Sequence, residues 1–363
     1  MRRLTFRRVM WTCAVLAAVL VGVVVLALKV GAVPISVSDL VLSLGRVAIG
    51  RSAELPSQFQ VIVFGLRLPR ILLAILVGAA LSVAGASFQA LLRNPLADPY
   101  VLGVSSGAAV GAILALIFAP EIPLVTPAAS FAGAALTIAA VYFLGRREGQ
   151  LDGSTLLLGG IITASFLSAV IMFLMTTLAG RDLRGMSFWL MGDLSTQASF
   201  GLGRKIVEHF RVLGFNINPL SDVYLDLFGL LVVVGIAAGA IYSTAADLNL
   251  LQGGENEAVH LGVEVRRVKI VVYVAASILT GLAVSVSGAI GYVGLLVPHA
   301  MRWLVGSDYR VLIPASALGG AIAVLLADTL ARTIAAPTEL PVGAMTAMAG
   351  APVFIYLLRR GMR

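Results

Sequence analysis

Long apolar stretches alternate with short charged connections along this chain. The charge-free run Val9–Leu28 follows Arg2, Arg3, Arg7 and Arg8 and is long enough to cross a bilayer, which takes about 20 residues. A cleaved signal peptide would show a shorter apolar region of ~7–15 residues and a small-residue cleavage site. The run therefore predicts a first span, about 9–30, that starts in the cytoplasm. Ile71–Leu92, Pro99–Pro120, Ile122–Gly145, Gly153–Gly180 and Leu227–Ala246 predict the second to sixth spans. Ile270–Met301 is too long for one crossing and contains Gly288, Gly291, Gly294 and Pro298, so it predicts a seventh span and a short eighth. Val311–Ala331, interrupted late by Asp328, and Leu340–Leu358 complete a set of ten. Runs of this length are not the ~10-residue alternating segments of a transmembrane barrel. The expected fold is an all-α polytopic membrane protein forming a single domain over residues 1–363.

Composition agrees with that pattern. The 363 residues are 59% hydrophobic and 12% charged, with a mean hydropathy of +1.00, against about 25% charged in a soluble domain. Ten spans with short loops leave no room for a soluble catalytic domain. The net charge of +8 fits basic loops facing the cytoplasm. No basic stripe is interleaved with stacking aromatics, which argues against nucleic acid as a partner. With both termini inside, 15 of the 26 Lys and Arg fall on the cytoplasmic side and 11 outside. The short Arg146–Arg147 loop and the Arg359–Arg363 tail weigh most in that orientation. The single cysteine, Cys13, lies in an apolar run and excludes an internal disulfide framework.

The chain also repeats itself. Gly78, Ser82, Val83, Gly85, Ala86, Leu92, Pro95 and Ala97 recur 203 positions later as Gly281, Ser285, Val286, Gly288, Ala289, Leu295, Pro298 and Ala300. The second span runs inward and the seventh outward, so the repeat is inverted, one half covering about 67–180 and the other about 266–360. Inverted repeats are typical of transporters with alternating access. Gly78, Ser82 and Gly85 form one small-residue face, which lets helix backbones approach closely in lipid.

Few residues offer covalent chemistry. Gly103-Val104-Ser105-Ser106-Gly107 matches the hydrolase pattern G-x-S-x-G, but it opens an apolar helix and has no nearby histidine to act as base; packing through Gly107 and Gly111 is the better reading. His209, His260 and His299 are scattered, so no metal site is expected, and no cofactor is. No phosphate-binding G-x-x-x-x-G-K-[ST] occurs, so any ATP would be hydrolysed by another chain. Two features suggest docking instead. The charged segment 253–265 between the sixth and seventh spans reads either as a solvated connector or as a short helix that seats in a partner's groove. Arg67 and Arg70 open the second span on the outer face, where Arg332 ends the ninth. They either bind acidic residues of an external partner or serve structure, Arg332 by pairing with Asp328 at i, i+4.

Specific runs then carry a resemblance. Arg67-Leu68-Pro69-Arg70, Arg93-Asn94-Pro95-Leu96-Ala97-Asp98-Pro99, Leu102–Gly107, Phe188-Trp189-Leu190-Met191-Gly192, Gly288-Ala289-Ile290-Gly291, Gly294–His299 and Glu339-Leu340-Pro341-Val342-Gly343 resemble the FecCD family of ABC importer permeases. The match runs in order from about Arg67 to Arg360. The resemblance implies a type II importer permease in the inner membrane that carries ferric siderophores, haem or cobalamin and is not itself an enzyme. It implies two ATP-binding subunits, a second permease subunit and an extracytoplasmic binding protein as partners, besides membrane lipid. By position, Gly254, Glu257, Ala258, Leu261 and Gly262 resemble the family's coupling helix. Arg67, Arg70 and Arg332 match its docking arginines. The fifth span, with Thr155, Thr163 and Ser165, resembles the helix lining the path, with Arg146 and Asp152 near the gate. Residues Gln197–Asp222 depart from the family pattern; within them Ile206, Phe210 and Leu213 could share one face of an interfacial helix. The competing reading is an ion-coupled secondary transporter, which would need intramembrane acids; Asp328 and Glu339 are the candidates.

Overall fold

The computed structural model describes residues 6–31, 60–122, 124–147, 150–177, 183–195, 221–336 and 338–361, together with separate positions between 33 and 45. Most of the 197–222 insertion, including Ile206, Phe210 and Leu213, lies outside the described residues. Every predicted span is found as a helix: α1 (Phe6–Lys29), α2 (Leu68–Leu91), α3 (Val104–Phe118), α4 (Val125–Leu144) and α5 (Gly153–Thr177). After a short α6 (Leu183–Leu190) come α7 (Ser221–Ser243), two short helices α8 (Ala245–Leu251) and α9 (Glu255–His260), and α10 (Val265–Ser287). The chain ends in α11 (Val293–Val305), α12 (Tyr309–Thr333) and α13 (Val342–Gly361). Arg146–Arg147 and Gln150–Leu151 pair as a minimal antiparallel turn between α4 and α5.

The proline at the start of α2 changes the picture there. Residues Gln60–Arg67 form a π-wound lead-in that runs straight into Leu68, so Pro69 sits within a continuous helical segment. A proline lacks the N–H that an interior helical position donates, and a local change to π winding accommodates such a gap.

The centre of the bundle is α2, α10 and α12. α2 is buried on nearly all sides from Pro69 to Leu91, as an all-round apolar helix at the core of a membrane protein should be. α10 runs antiparallel to it: the turn after α2 and the first turn of α10 both reach Glu255 through Arg93 and Lys269. Packing around the pair is dual. α2 lies on α12 and α11, while α10 lies on α4 and α3. α3 packs on α4 and α5 as α11 packs on α12 and α13. The α2–α5 half is thus matched by the α10–α13 half. The repeated glycines sit at these equivalent crossings. Gly78 faces the backbone of Gly320 on α12, so close that a Cβ would collide, and Gly281 faces Phe131 and Ala134 of α4.

The sequence match overruns this equivalence at its end. Pro95 lies in the turn after α2, whereas Pro298 lies inside α11. The physical reason is a difference in connection length: residues 92–103 join α2 to α3, but only 288–292 join α10 to α11. The ungapped offset therefore holds for α2 and α10 only.

α3 and α11 are short, 15 and 13 residues, or about 22 and 20 Å at 1.5 Å per residue. A bilayer core is about 30 Å thick, so neither spans it alone: a 3-10 turn, Pro99–Leu102, leads into α3 and the non-helical residues 288–292 lead into α11. Such backbone survives at membrane depth only when buried in protein. Here the first half of the chain braces the break before α11 and the start of that helix. Ile290 donates its N–H to the Tyr100 hydroxyl (2.7 Å), and Gln89 Nε2 donates to the carbonyls of Gly294 (3.3 Å) and Leu295 (3.2 Å). The Gly107 and Gly111 positions of the G-x-S-x-G stretch meet Gly133 and Ala129 on α4, which is helix packing rather than a nucleophile's turn.

Candidate coupling surface and buried ion network

α9 is positioned from both sides. Gly254, with φ 136°, and Gly262, with φ 86°, adopt backbone that other residues rarely do, which turns the chain sharply into and out of a one-and-a-half-turn helix. Ala258 is fully buried against the bundle. Glu257, Val259, His260 and Leu261 point away from it. Val259 and Leu261 are 57% and 65% exposed, so two aliphatic side chains stand clear on an otherwise charged surface.

Three tethers tie this segment to the bundle. Glu255 accepts from Lys269 Nζ at the start of α10 (2.7 Å) and lies 3.5 Å from Arg93 Nη2 after α2. Gln252 donates to the carbonyl of Ala90 at the end of α2 (3.2 Å). Asn249 on α8 grips the start of α12: its Nδ2 donates to Asp308 Oδ1 (2.8 Å) and its Oδ1 accepts from the Tyr309 N–H (2.9 Å). Asp308 also caps α12 by accepting from the Arg310 N–H. The Arg310 guanidinium, then the Asn249 amide, hold the Asp308 carboxyl down at about 2. Displacement of α9 would thus be felt by α2, α10 and α12 together.

At the opposite end of α2 the arginines face inward. Arg70 is 7% exposed; its Nε contacts Asp328 Oδ1 at 2.8 Å and its Nη1 contacts Glu339 Oε2 at 2.7 Å. Arg332 Nε lies 3.0 Å from the other Asp328 oxygen, the i, i+4 pair that the spacing allows. Asp328 is completely buried between the two guanidinium groups. Arg67 is 6% exposed and donates to the carbonyl of Leu28 at the end of α1 (2.6 Å) and to that of Val33. The structure brings Arg70 and Arg332 together and sets Arg67 beside them as a clasp on α1. A buried pair of this kind is stable only because each charge has its partner; removing one is costly.

The residues of the fifth span divide by chemistry. Asp152 accepts from the Thr155 N–H (2.7 Å) and from the Ser154 and Thr155 hydroxyls (2.6 Å each), and so caps the start of α5. Thr163 and Ser165 turn their hydroxyls back to the carbonyls of Gly159 and Ile161. These side chains therefore present methyl and methylene surface, and most of α5 is left uncovered by its own chain. Arg146 lies over the Tyr142 ring, 5.7 Å from its centroid, close to the turn that precedes Asp152.

Sequence reasoning missed Glu255, Lys269, Asn249 and the Arg70–Glu339 contact. Asp308 alone carried a readable signal, an aspartate just before an apolar run, the pattern of a helix cap.

This arrangement has known counterparts. A cobalamin import system permease protein of Halobacterium salinarum is 42% identical over 84% of this chain and 75% of its own length. A hemin transport system permease protein of Yersinia pestis is 41% identical over 81% of this chain and 82% of its own. Among solved structures, a metal-chelate type ABC transporter in an inward-facing conformation matches with a TM-score of 0.75 and 29% identity, over 97% of this chain and 99% of that one. The model of the FecCD transport family matches residues 17–202 and 220–360, and on that match this chain belongs to the FecCD transport family.

Proposed function

We propose that this chain is the membrane-spanning subunit of an ATP-driven importer that passes a metal chelate or tetrapyrrole (ferric siderophore, haem or cobalamin) into the cytoplasm by alternating access. The carrying observation is α9, a tethered short helix that holds Val259 and Leu261 out of the bundle in a chain whose sequence carries no G-x-x-x-x-G-K-[ST] motif. It fits a helix that seats in the groove of an ATPase subunit, with Gly254 and Gly262 fixing its ends, Ala258 its seat and Glu257 and Leu261 its contacts. Two ATPase subunits need two such helices, which calls for a second permease copy. The uncovered face of α5, including Leu158, Ile162 and Phe166, supports its place along a path at the axis between copies, with Arg146 and Asp152 at the gate. The α9 end then faces the cytoplasm of the inner membrane, with both termini on that side. The Arg67, Arg70 and Arg332 end faces an external binding protein. Ion-coupled transport would require titrating acids within the membrane, and Asp328 and Glu339 are instead occupied by Arg70 and Arg332.

The test is Leu261→Asp. Loss of an exposed apolar anchor from an interface costs more than ~1 kcal/mol when the residue is a hot spot. ATPase stimulation linked to transport should therefore fall severalfold or more, with unchanged insertion and yield. Normal coupling in this variant would overturn the assignment of α9.

A further inference from the structure

We infer that Gln89 is a positioning residue for transport: it supplies the hydrogen-bond donor that Pro298 withholds from α11, and so latches a proline-hinged helix to the end of α2 where α9 is tethered. An interior helical residue donates its N–H to the carbonyl four positions back, and proline has no N–H to donate. Pro298 lies inside α11, so the carbonyl left over is that of Gly294, which is buried. A buried carbonyl without a partner is costly. Gln89, on the last turn of α2 and 2% exposed, donates from Nε2 to that carbonyl (3.3 Å) and to the next one, of Leu295 (3.2 Å). Gly85, one turn earlier on α2, closes over the same oxygen: a Cβ there would lie 1.9 Å from it, which leaves no room for water on that side. Prolines also lie inside α12 (Pro314) and α13 (Pro352), but the carbonyls they free belong to the exposed Arg310 and Met348. α3, the counterpart of α11 in the first half, has no proline, so this hinge belongs to the second half.

The same turn of α2 is where the α9 segment takes hold. Ala90, the next residue, accepts from Gln252 (3.2 Å). The Gln89 carbonyl accepts from the Asn94 N–H (3.1 Å), and Arg93 beside it faces Glu255. A displacement of α9 is thus delivered to the turn whose side chain holds α11. The latch is built to let go. Its bonds are at the long end of the hydrogen-bond range, and Gln89 Oε1 is buried with no hydrogen-bond partner among the described residues. Helices bend at proline, where the ladder of bonds is interrupted, so α11 has two arrangements: held by Gln89, or released and free to swing about Pro298. The route from α9 rests on the reading of α9 as the seat of an ATPase; the latch between Gln89 and α11 does not.

Hydrogen exchange of the full-length permease, read by mass spectrometry, reports local opening and tests the latch without any ATPase. Gln89→Met keeps the length of the side chain and removes the donor. The amides of α11 should then exchange severalfold faster, with those of α12 unchanged. Pro298→Ala restores an N–H to the Gly294 carbonyl, so in that background Gln89→Met should change α11 little. If Gln89→Met alone gives no folded protein, adding Pro298→Ala should rescue its yield. Unchanged exchange in Gln89→Met, or a loss as large with Pro298→Ala as without it, would overturn the latch. The link to α9 is read from the complex with its ATPase subunits, with and without ATP plus vanadate. In the wild type the nucleotide should speed α11 exchange severalfold; in Gln89→Met the exchange is already fast and should no longer respond. A wild type that does not respond, or an equal response in Gln89→Met, would remove Gln89 from the coupling route. Failure of the α9 assignment itself is read separately, from Leu261→Asp.

Discussion

The two ends of α2 use charge in opposite ways. At one end Arg70, Asp328, Arg332 and Glu339 close on one another, with Asp328 shut away completely. At the other end Glu255, Lys269 and Arg93 form a looser, partly exposed cluster, and the helix they steady holds Val259 and Leu261 clear of the bundle. The first cluster spends its charges within the chain; the second uses them to present something else. A residue's type and side of the membrane do not reveal this difference, because arginine and glutamate supply both. What separates them is how many opposite charges the fold delivers within reach.

The sharpest way to break the comparison is to open the closed end. Asp328→Asn leaves Arg332 without its carboxylate and Arg70 with Glu339 alone. Stranding a buried charge costs about 3–5 kcal/mol, so thermal unfolding of the purified protein should begin many degrees lower. A variant as stable as the wild type would show that the network is dispensable to the fold. Charge reversal at the clasp is the next effect in size. Arg67 is bonded to the carbonyls of Leu28 in α1 and Val33 just after it, with no carboxylate among its partners in the described residues, so of the three arginines it is the one whose charge an acidic partner could still neutralise if docking opened the clasp. Arg67→Glu should weaken binding-protein docking about tenfold or more, as for close interfacial charge pairs, and added salt should weaken the wild-type complex. Unchanged docking with reduced expression would assign Arg67 to anchoring α1. The smallest effect concerns the open end. Asp308 is held at about 2 against a usual 3.8, so the folded state favours its charged form. Its contribution is complete above the usual carboxylate range and is lost as pH falls toward 2. The stability gap between wild type and Asp308→Asn should therefore narrow between pH 4 and pH 2. A constant gap would place the role of Asp308 outside its charge.

Much of the fold was legible in sequence because span length is set by the membrane and not by distant partners. The glycines of Ile270–Met301 marked the break between α10 and α11, and Arg332 was readable as a partner of Asp328 at one helical turn. The extent of the repeat was not, because unequal connections after α2 and α10 put Pro95 and Pro298 in different settings. The site was legible by halves. Segment 253–265 announced itself by charge between apolar runs, but its tethers did not: Asn249 meets a residue 59 positions away, and Arg70 meets Glu339 269 positions away. Local patterns carry no trace of such distances.

The broken segments before α3 and α11 also bear on how the protein is made. Tyr100 waits for Ile290, which lies 190 positions downstream. At ordinary synthesis rates of about 5–20 residues per second, roughly 10–40 s pass before that partner emerges. During that interval the stretch around Tyr100 is held by its own bonds, Tyr100 N–H and Val101 N–H to Asp98 and Gly103 N–H to the Tyr100 carbonyl, with the Tyr100 hydroxyl set out as an acceptor. Maturation of this chain is therefore a matter of order as much as of hydropathy: the break at Ile290 emerges last, and the acceptor for its N–H has by then already been set in place by the early half.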